Sequence, residues 1–100
     1  MSKTNYKISK NAINDLEEIW IYTYHKWSKK QADRYYNLIM DEIDFISDNF
    51  MIGKSVEQTR KKYRVTKIKS HLIFYRKEET GIVEIVRILH QRMDIKERLK

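Results

Sequence analysis

Apolar residues recur at Ile13, Leu16, Ile19, Trp20, Tyr24 and Trp27, in the steps of three and four that line one side of a helix. Ser9 or Asn11 can cap that helix with a side-chain oxygen, and Asp15, Glu17 and Glu18 suit the positive end of its dipole. After Trp27, the run Ser28-Lys29-Lys30-Gln31 reads as a capping box that starts a second helix. Ala32, Tyr35, Tyr36, Ile39, Ile43, Ile46 and Phe50 form its stripe, with Asp33, Asn37, Asp41, Asp44 and Asp48 mostly opposite. So short a connection predicts an antiparallel helical hairpin.

Elsewhere the period changes to two. Tyr6-Lys7-Ile8 predicts a short edge strand. A strand from about Lys62 places Tyr63, Val65 and Lys67 on one face, and Lys69-Ser70 turns it into the run from Ser70 to Arg76. The polar connector Lys77 to Gly81 leads into Ile82 to His90, and Gly81 can take the positive φ such a turn needs. Alternation puts Leu72 and Phe74 on one face and Ile73 and Tyr75 on the other. In the last strand Ile82, Val86 and Ile88 oppose Val83, Ile85 and Leu89. Both faces of this β-hairpin are thus apolar, and one helical hairpin covers only one. The other face calls for a partner.

Met51 to Gln58 lacks a period and reads as a loop. The charged tail from Gln91 to Lys100 holds Met93, Ile95 and Leu99 as anchors or as one turn of helix. The expected architecture is α+β, in the order β-α-α-β-β-β, with the helical hairpin packed on one face of a small antiparallel sheet. Residues 1–100 are expected to make one domain. Its expected core is Ile13, Leu16, Trp20, Tyr36, Ile39, Ile43, Phe74 and Val86.

Charge adds a partner class. The net +7 is uneven, with residues 11–50 carrying −4 and residues 51–100 carrying +8. The basic half coincides with the strands, which points to an acidic partner or to a solvated face. Arg60-Lys61-Lys62-Tyr63-Arg64 could track a phosphate backbone with Tyr63 stacking on a base, or guard a sheet edge against pairing. Arg87, His90 and Arg92 form a second basic set. His25, His71 and His90 show no metal-ligand spacing, there is no cysteine, and no Gly-rich phosphate loop appears. No cofactor or metal is expected. The longest apolar runs fall far short of a membrane span, so the expected setting is the cytoplasm.

Four stretches, in order and spacing, carry a family resemblance. They are Asp15-Leu16-Glu17-Glu18-Ile19-Trp20 with Tyr22-Thr23, Gln31-Ala32-Asp33-Arg34-Tyr35, Ser70 to Arg76, and Val86 to His90 with Arg92-Met93-Asp94. From Tyr6 to Leu99 the chain resembles the ParE-type toxins of the ParE/RelE superfamily, the toxic halves of bacterial type II toxin–antitoxin pairs that include plasmid-stabilisation systems. The resemblance implies a ParD-like antitoxin, with a ribbon-helix-helix DNA-binding half and a tail that wraps the toxin. It also implies DNA gyrase as the target, bound rather than chemically altered, with nucleic acid met only through gyrase or the antitoxin complex.

The residues expected at the target are Arg64, Arg87, His90, Arg92 and Met93. Those expected at the antitoxin are Trp27, Tyr63, Val65, Ile73, Tyr75 and Arg76. The related RelE toxins cleave messenger RNA on the ribosome. This chain departs from that branch, with Leu72 where those relatives carry arginine and no terminal aromatic after Gln91. Ribosome-dependent nuclease activity is the alternative, and a non-toxic antitoxin-binding domain the third reading. The chain also lacks proline, and Lys69 and Gln91 stand where relatives tend to have glycine.

Overall fold

The computed structural model describes residues 6–56 and 62–99. Strand β1 (Tyr6–Ile8) leads into helices α1 (Lys10–Lys26) and α2 (Lys29–Asp48). A 3-10 turn at Phe50–Ile52 and strand β2 (Lys54–Ser55) follow. Then come β3 (Arg64–Ile68), β4 (His71–Lys77), β5 (Val83–His90) and a one-turn helix α3 (Ile95–Arg98). The helices start where the caps predict. Ser9 Oγ accepts from Ala12 N at 3.0 Å, and Ser28 Oγ accepts from Gln31 N at 3.1 Å. Ser9, rather than Asn11, is the cap, and its hydroxyl also donates to Val86 O at 2.8 Å, pinning α1 to the sheet.

The sheet runs β1-β5-β4-β3-β2. All neighbours are antiparallel except β1, which lies parallel to β5. Strand β2 is the element absent from the sequence reading, since two polar residues carry no alternation. At the β3–β4 turn Lys69 takes φ 54°, and at the β4–β5 turn Gly81 takes φ 90°. Gly81 is the expected residue for such a turn. Lys69 holds the same left-handed region against its own Cβ.

Two cores form, one on each face. Ala12, Leu16, Ile39, Ile43 and Ile46 from the helices bury Ile73, Tyr75, Val83, Ile85 and Ile88. Inside this core the Tyr75 hydroxyl donates to Phe50 O at 2.8 Å and accepts from Gly53 N at 3.0 Å. A Cβ at Gly53 would stand 2.3 Å from that hydroxyl, so only glycine lets the loop approach. Ile88 belongs to this face because the pairing shifts between Phe74–Arg87 and Tyr75–Ile85, leaving Val86 as an extra residue. That bulge reverses the alternation, so Ile88 joins Val83 and Ile85 while Leu89 moves opposite. Strict alternation had placed both the other way.

The far face is covered by the chain itself. Tyr63, Phe74, Leu89 and Leu99 form a second buried cluster, with Val56, Val65, Leu72, Val86 and Ile95 against it. The tail folds back as α3, capped where Asp94 Oδ1 accepts from Glu97 N at 3.3 Å. The expectation of a bare face awaiting a partner is thus corrected: Ile95 and Leu99 lid it. Phe74 and Val86 pack here and not under the helices. Ile13 and Tyr36 point to solvent, and Trp20 is half-buried in the outer seam of the helical hairpin, where Nε1 donates to Asp33 Oδ1 at 2.9 Å. The helices use a narrower stripe against the sheet than the period alone suggests, because α1 and α2 also face each other.

Candidate functional site: the groove beside β5

β1 pairs with Val83 to Ile85, and beyond Ile85 that edge of β5 has no strand neighbour among the described residues. Asp15 of α1 closes the first part of that edge. Its carboxylate accepts from Arg87 Nε and Nη2, both at 2.8 Å, and from the Ile88 backbone N–H at 2.9 Å. Arg87 Nη1 reaches on to Arg98 O at 3.3 Å. The guanidinium therefore joins α1, β5 and the tail, and the carboxylate beside it raises its pKa further. Both partners of the pair are largely buried.

Past this clamp lies a groove of about 940 Å³ between the second half of α1, the start of α2, the β3–β4 turn and the end of β5. Ile19, Tyr22, Trp27 and Met93 give it apolar walls, and Trp27 is 68% exposed at its mouth. Lys26 and Lys69 add positive charge to the lining, while Asp15 and Glu18 supply the negative. Tyr35, His71 and His90 converge on its sheet side. The Tyr35 hydroxyl lies 2.6 Å from His71 Nδ1, and the rings of His71 and His90 meet edge-on at 5.2 Å.

Burial, and then the neighbouring His90, push His71 down to about 4. Burial raises Tyr35. His90 Nδ1 accepts from Arg92 N at 3.1 Å, which leaves Nε2 to carry the proton of the neutral ring. At neutral pH His71 is uncharged, a poor base and no acid. Tyr35 and His71 offer fixed hydrogen-bonding groups suited to recognition, and His71 lies away from the pKa near the working pH that efficient proton transfer asks for. Among the described residues no three His, Cys, Asp or Glu side chains gather as metal ligands, and no helix is long and apolar enough to cross a membrane.

The structure divides the residues expected at each partner. Trp27, His90 and Met93 come together in the groove, and Arg92 is exposed beside His90. Arg64 is held elsewhere, with Nε on Gly53 O at 3.1 Å and Nη2 on Met51 O at 3.0 Å. Arg87 is tied to Asp15, and Arg76 Nε donates to Glu84 at 2.9 Å. Ile73 and Tyr75 lie wholly inside the helix-covered core, and Tyr63 lies under the tail with Val65 packed beside it. None of Ile73, Tyr75 and Tyr63 presents a surface, because each faces an interior that the sequence reading left open on one side.

Arg60 and Lys61 lie outside the described residues, and buried Tyr63 is not free to stack on a base. Sequence reasoning missed Asp15, Tyr35 and His71 as groove residues. A carboxylate on the sheet-facing side of α1 was the one available signal.

The family described as ParE toxin of the type II toxin–antitoxin system, parDE, matches residues 6–95. The chain belongs to the ParE toxin family. A Toxin ParE1 of Mycobacterium tuberculosis is 38% identical over 96 residues, 96% of this chain and 98% of that protein. A Toxin ParE1 of Caulobacter vibrioides is 36% identical over 95 residues, 94% and 96% of the two chains. In fold, a chain of the chromosomal ParDE toxin–antitoxin system from P. aeruginosa superposes with a TM-score of 0.73 at 15% identity, over 88% of this chain and 98% of that one. The ParE fold is thus the α+β arrangement that the order of elements predicts, and the groove beside β5 is a feature of a ParE toxin.

Proposed function

We propose that this ParE protein is a toxin that inhibits DNA gyrase by binding it, and that a ParD-like antitoxin neutralises it. The observation that carries the reading is the family match over residues 6–95, joined by a groove with apolar walls and an exposed Trp27 at its mouth. The antitoxin tail would lie in that groove, with apolar side chains on Trp27, Tyr22, Ile19 and Met93 and acidic ones near Lys26 and Lys69. Of the expected target set, His90, Arg92 and Met93 remain available at the groove, with Met93 shared with the antitoxin tail. A second reading is favoured by one observation, the meeting of Tyr35, His71 and His90, which are residue types a ribonuclease could use.

The test is controlled expression without antitoxin, reading gyrase–DNA cleavage complexes and transcript integrity from the same cells. The expected result is accumulated cleavage complexes with intact transcripts, unchanged in His90→Gln and lost in Arg92→Glu. Transcript cleavage that disappears in His90→Gln would replace the poison with the nuclease.

A further inference from the structure

The side of the helical hairpin that faces away from the sheet is neither sealed nor polar. Between α1 and α2 lies a cavity of about 480 Å³ lined by Leu16, Glu17, Trp20, Ile21, Asp33 and Tyr36. Ile21 and Tyr36 are 51% and 40% exposed there, and Tyr24, itself exposed, stacks on Trp20 at 5.3 Å. Four large apolar or aromatic side chains thus stand around an open seam that the helix-covered core does not need. Its two charged linings, Glu17 and Asp33, are both carboxylates. Asp33 already attracts a cation, since exposed Lys29 Nζ sits 2.8 Å from Oδ2. That contact, followed by the bond from Trp20, holds the Asp33 carboxyl below its usual range.

We propose that this seam is a docking site for a basic amphipathic segment of a partner protein. Its apolar side chain rests on Ile21, and its arginine or lysine enters between Trp20, Tyr36, Glu17 and Asp33. Charge selects the occupant. The charged linings of the seam are Glu17 and Asp33, so a second copy presenting the same face would oppose acid to acid. A basic segment meets opposite charge and two aromatic faces, the combination that draws guanidinium and ammonium groups. Lys29 marks the position, a native cation on the same carboxylate that an incoming guanidinium exchanges for. The site lies apart from the groove beside β5, with no lining residue in common, and does not depend on the gyrase reading.

The experiment titrates ¹⁵N-labelled full-length protein with N-acetyl-Leu-Arg amide, using N-acetyl-Leu-Gln amide as the uncharged control. The expected result is a saturable shift of the Trp20 indole and Ile21 amide signals with the arginine probe. The Trp27 indole should stay still, and the glutamine probe should give no saturation. Glu17→Gln, a change at an exposed position, should weaken binding roughly two- to five-fold, the scale of one exposed ion pair. Lys29→Ala should tighten it by about two-fold, through loss of the competing cation. Equal movement of Trp27, equal response to the glutamine probe, or unchanged affinity in Glu17→Gln would each overturn the proposal. So would shifts of the same signals with protein concentration alone, which would give the seam to a second copy.

Discussion

The two faces of the sheet are closed by different means. One is covered by 37 residues of capped, amphipathic helix, which bury a continuous core from Ala12 to Ile88. The other is covered by a four-residue helix whose anchors are Ile95 and Leu99. The first closure rests on many dispersed contacts, so removing one leaves the rest in place. The second rests on two apolar side chains and on Arg87, which spans from Asp15 on one side to the Arg98 carbonyl on the other. Stability in the first is a property of the whole face, and in the second a property of a few residues.

Asp15→Ala should break the comparison most severely, because it strands the Arg87 guanidinium and the Ile88 N–H together. The expected loss is about 3–5 kcal/mol, measured by urea unfolding. A smaller loss than that of a tail substitution would mean the clamp does not join the two faces. Next, Ile43→Ala in the helix-covered core should cost about 2–5 kcal/mol, while Leu99→Ala under the tail should cost about 1–2 kcal/mol. Hydrogen exchange should separate the pair further, with protection lost throughout the protein in the first and mainly at the tail in the second. Gly53→Ala should cost about 1–3 kcal/mol by pushing the Tyr75 hydroxyl off Phe50 and Gly53.

Acid should act through the groove end of β4. His71 binds its proton less readily folded than unfolded, falling from 6.5 to about 4. The unfolded chain therefore holds more protons between those values, and the stability that His71 contributes is lost as pH falls through that window. Thermal melts between pH 7 and 4 should show the decline, and His71→Asn should flatten it relative to the parent. The smallest expected effect is a gain. Lys69→Gly relieves a left-handed backbone and should raise stability by about 0.5–1 kcal/mol, net of the greater freedom of the unfolded chain. A loss there would mean that the Lys69 side chain contributes more than its backbone costs.

The helices and their caps were legible in the sequence, because a period of 3.6 and a serine oxygen near the first unpaired amides are local facts. Ser28, the order of elements apart from β2 and the positive φ at Gly81 followed from such facts alone, while the choice of Ser9 over Asn11 as the first cap was made by the fold. The groove was less so, since Asp15, Tyr35, His71 and His90 are far apart in the chain and meet only after folding.

The faces of Ile88 and Leu89 were decided by a single extra residue at Val86, which no alternation rule reveals. The roles of the basic residues were likewise decided in three dimensions. Arg64, Arg76 and Arg87 read alike in the sequence, yet each is held by a carbonyl or carboxylate distant along the chain. Periodicity fixes what a segment wants to bury, and only packing settles which neighbour buries it. Here that neighbour is the hairpin on one side and the chain's own tail on the other.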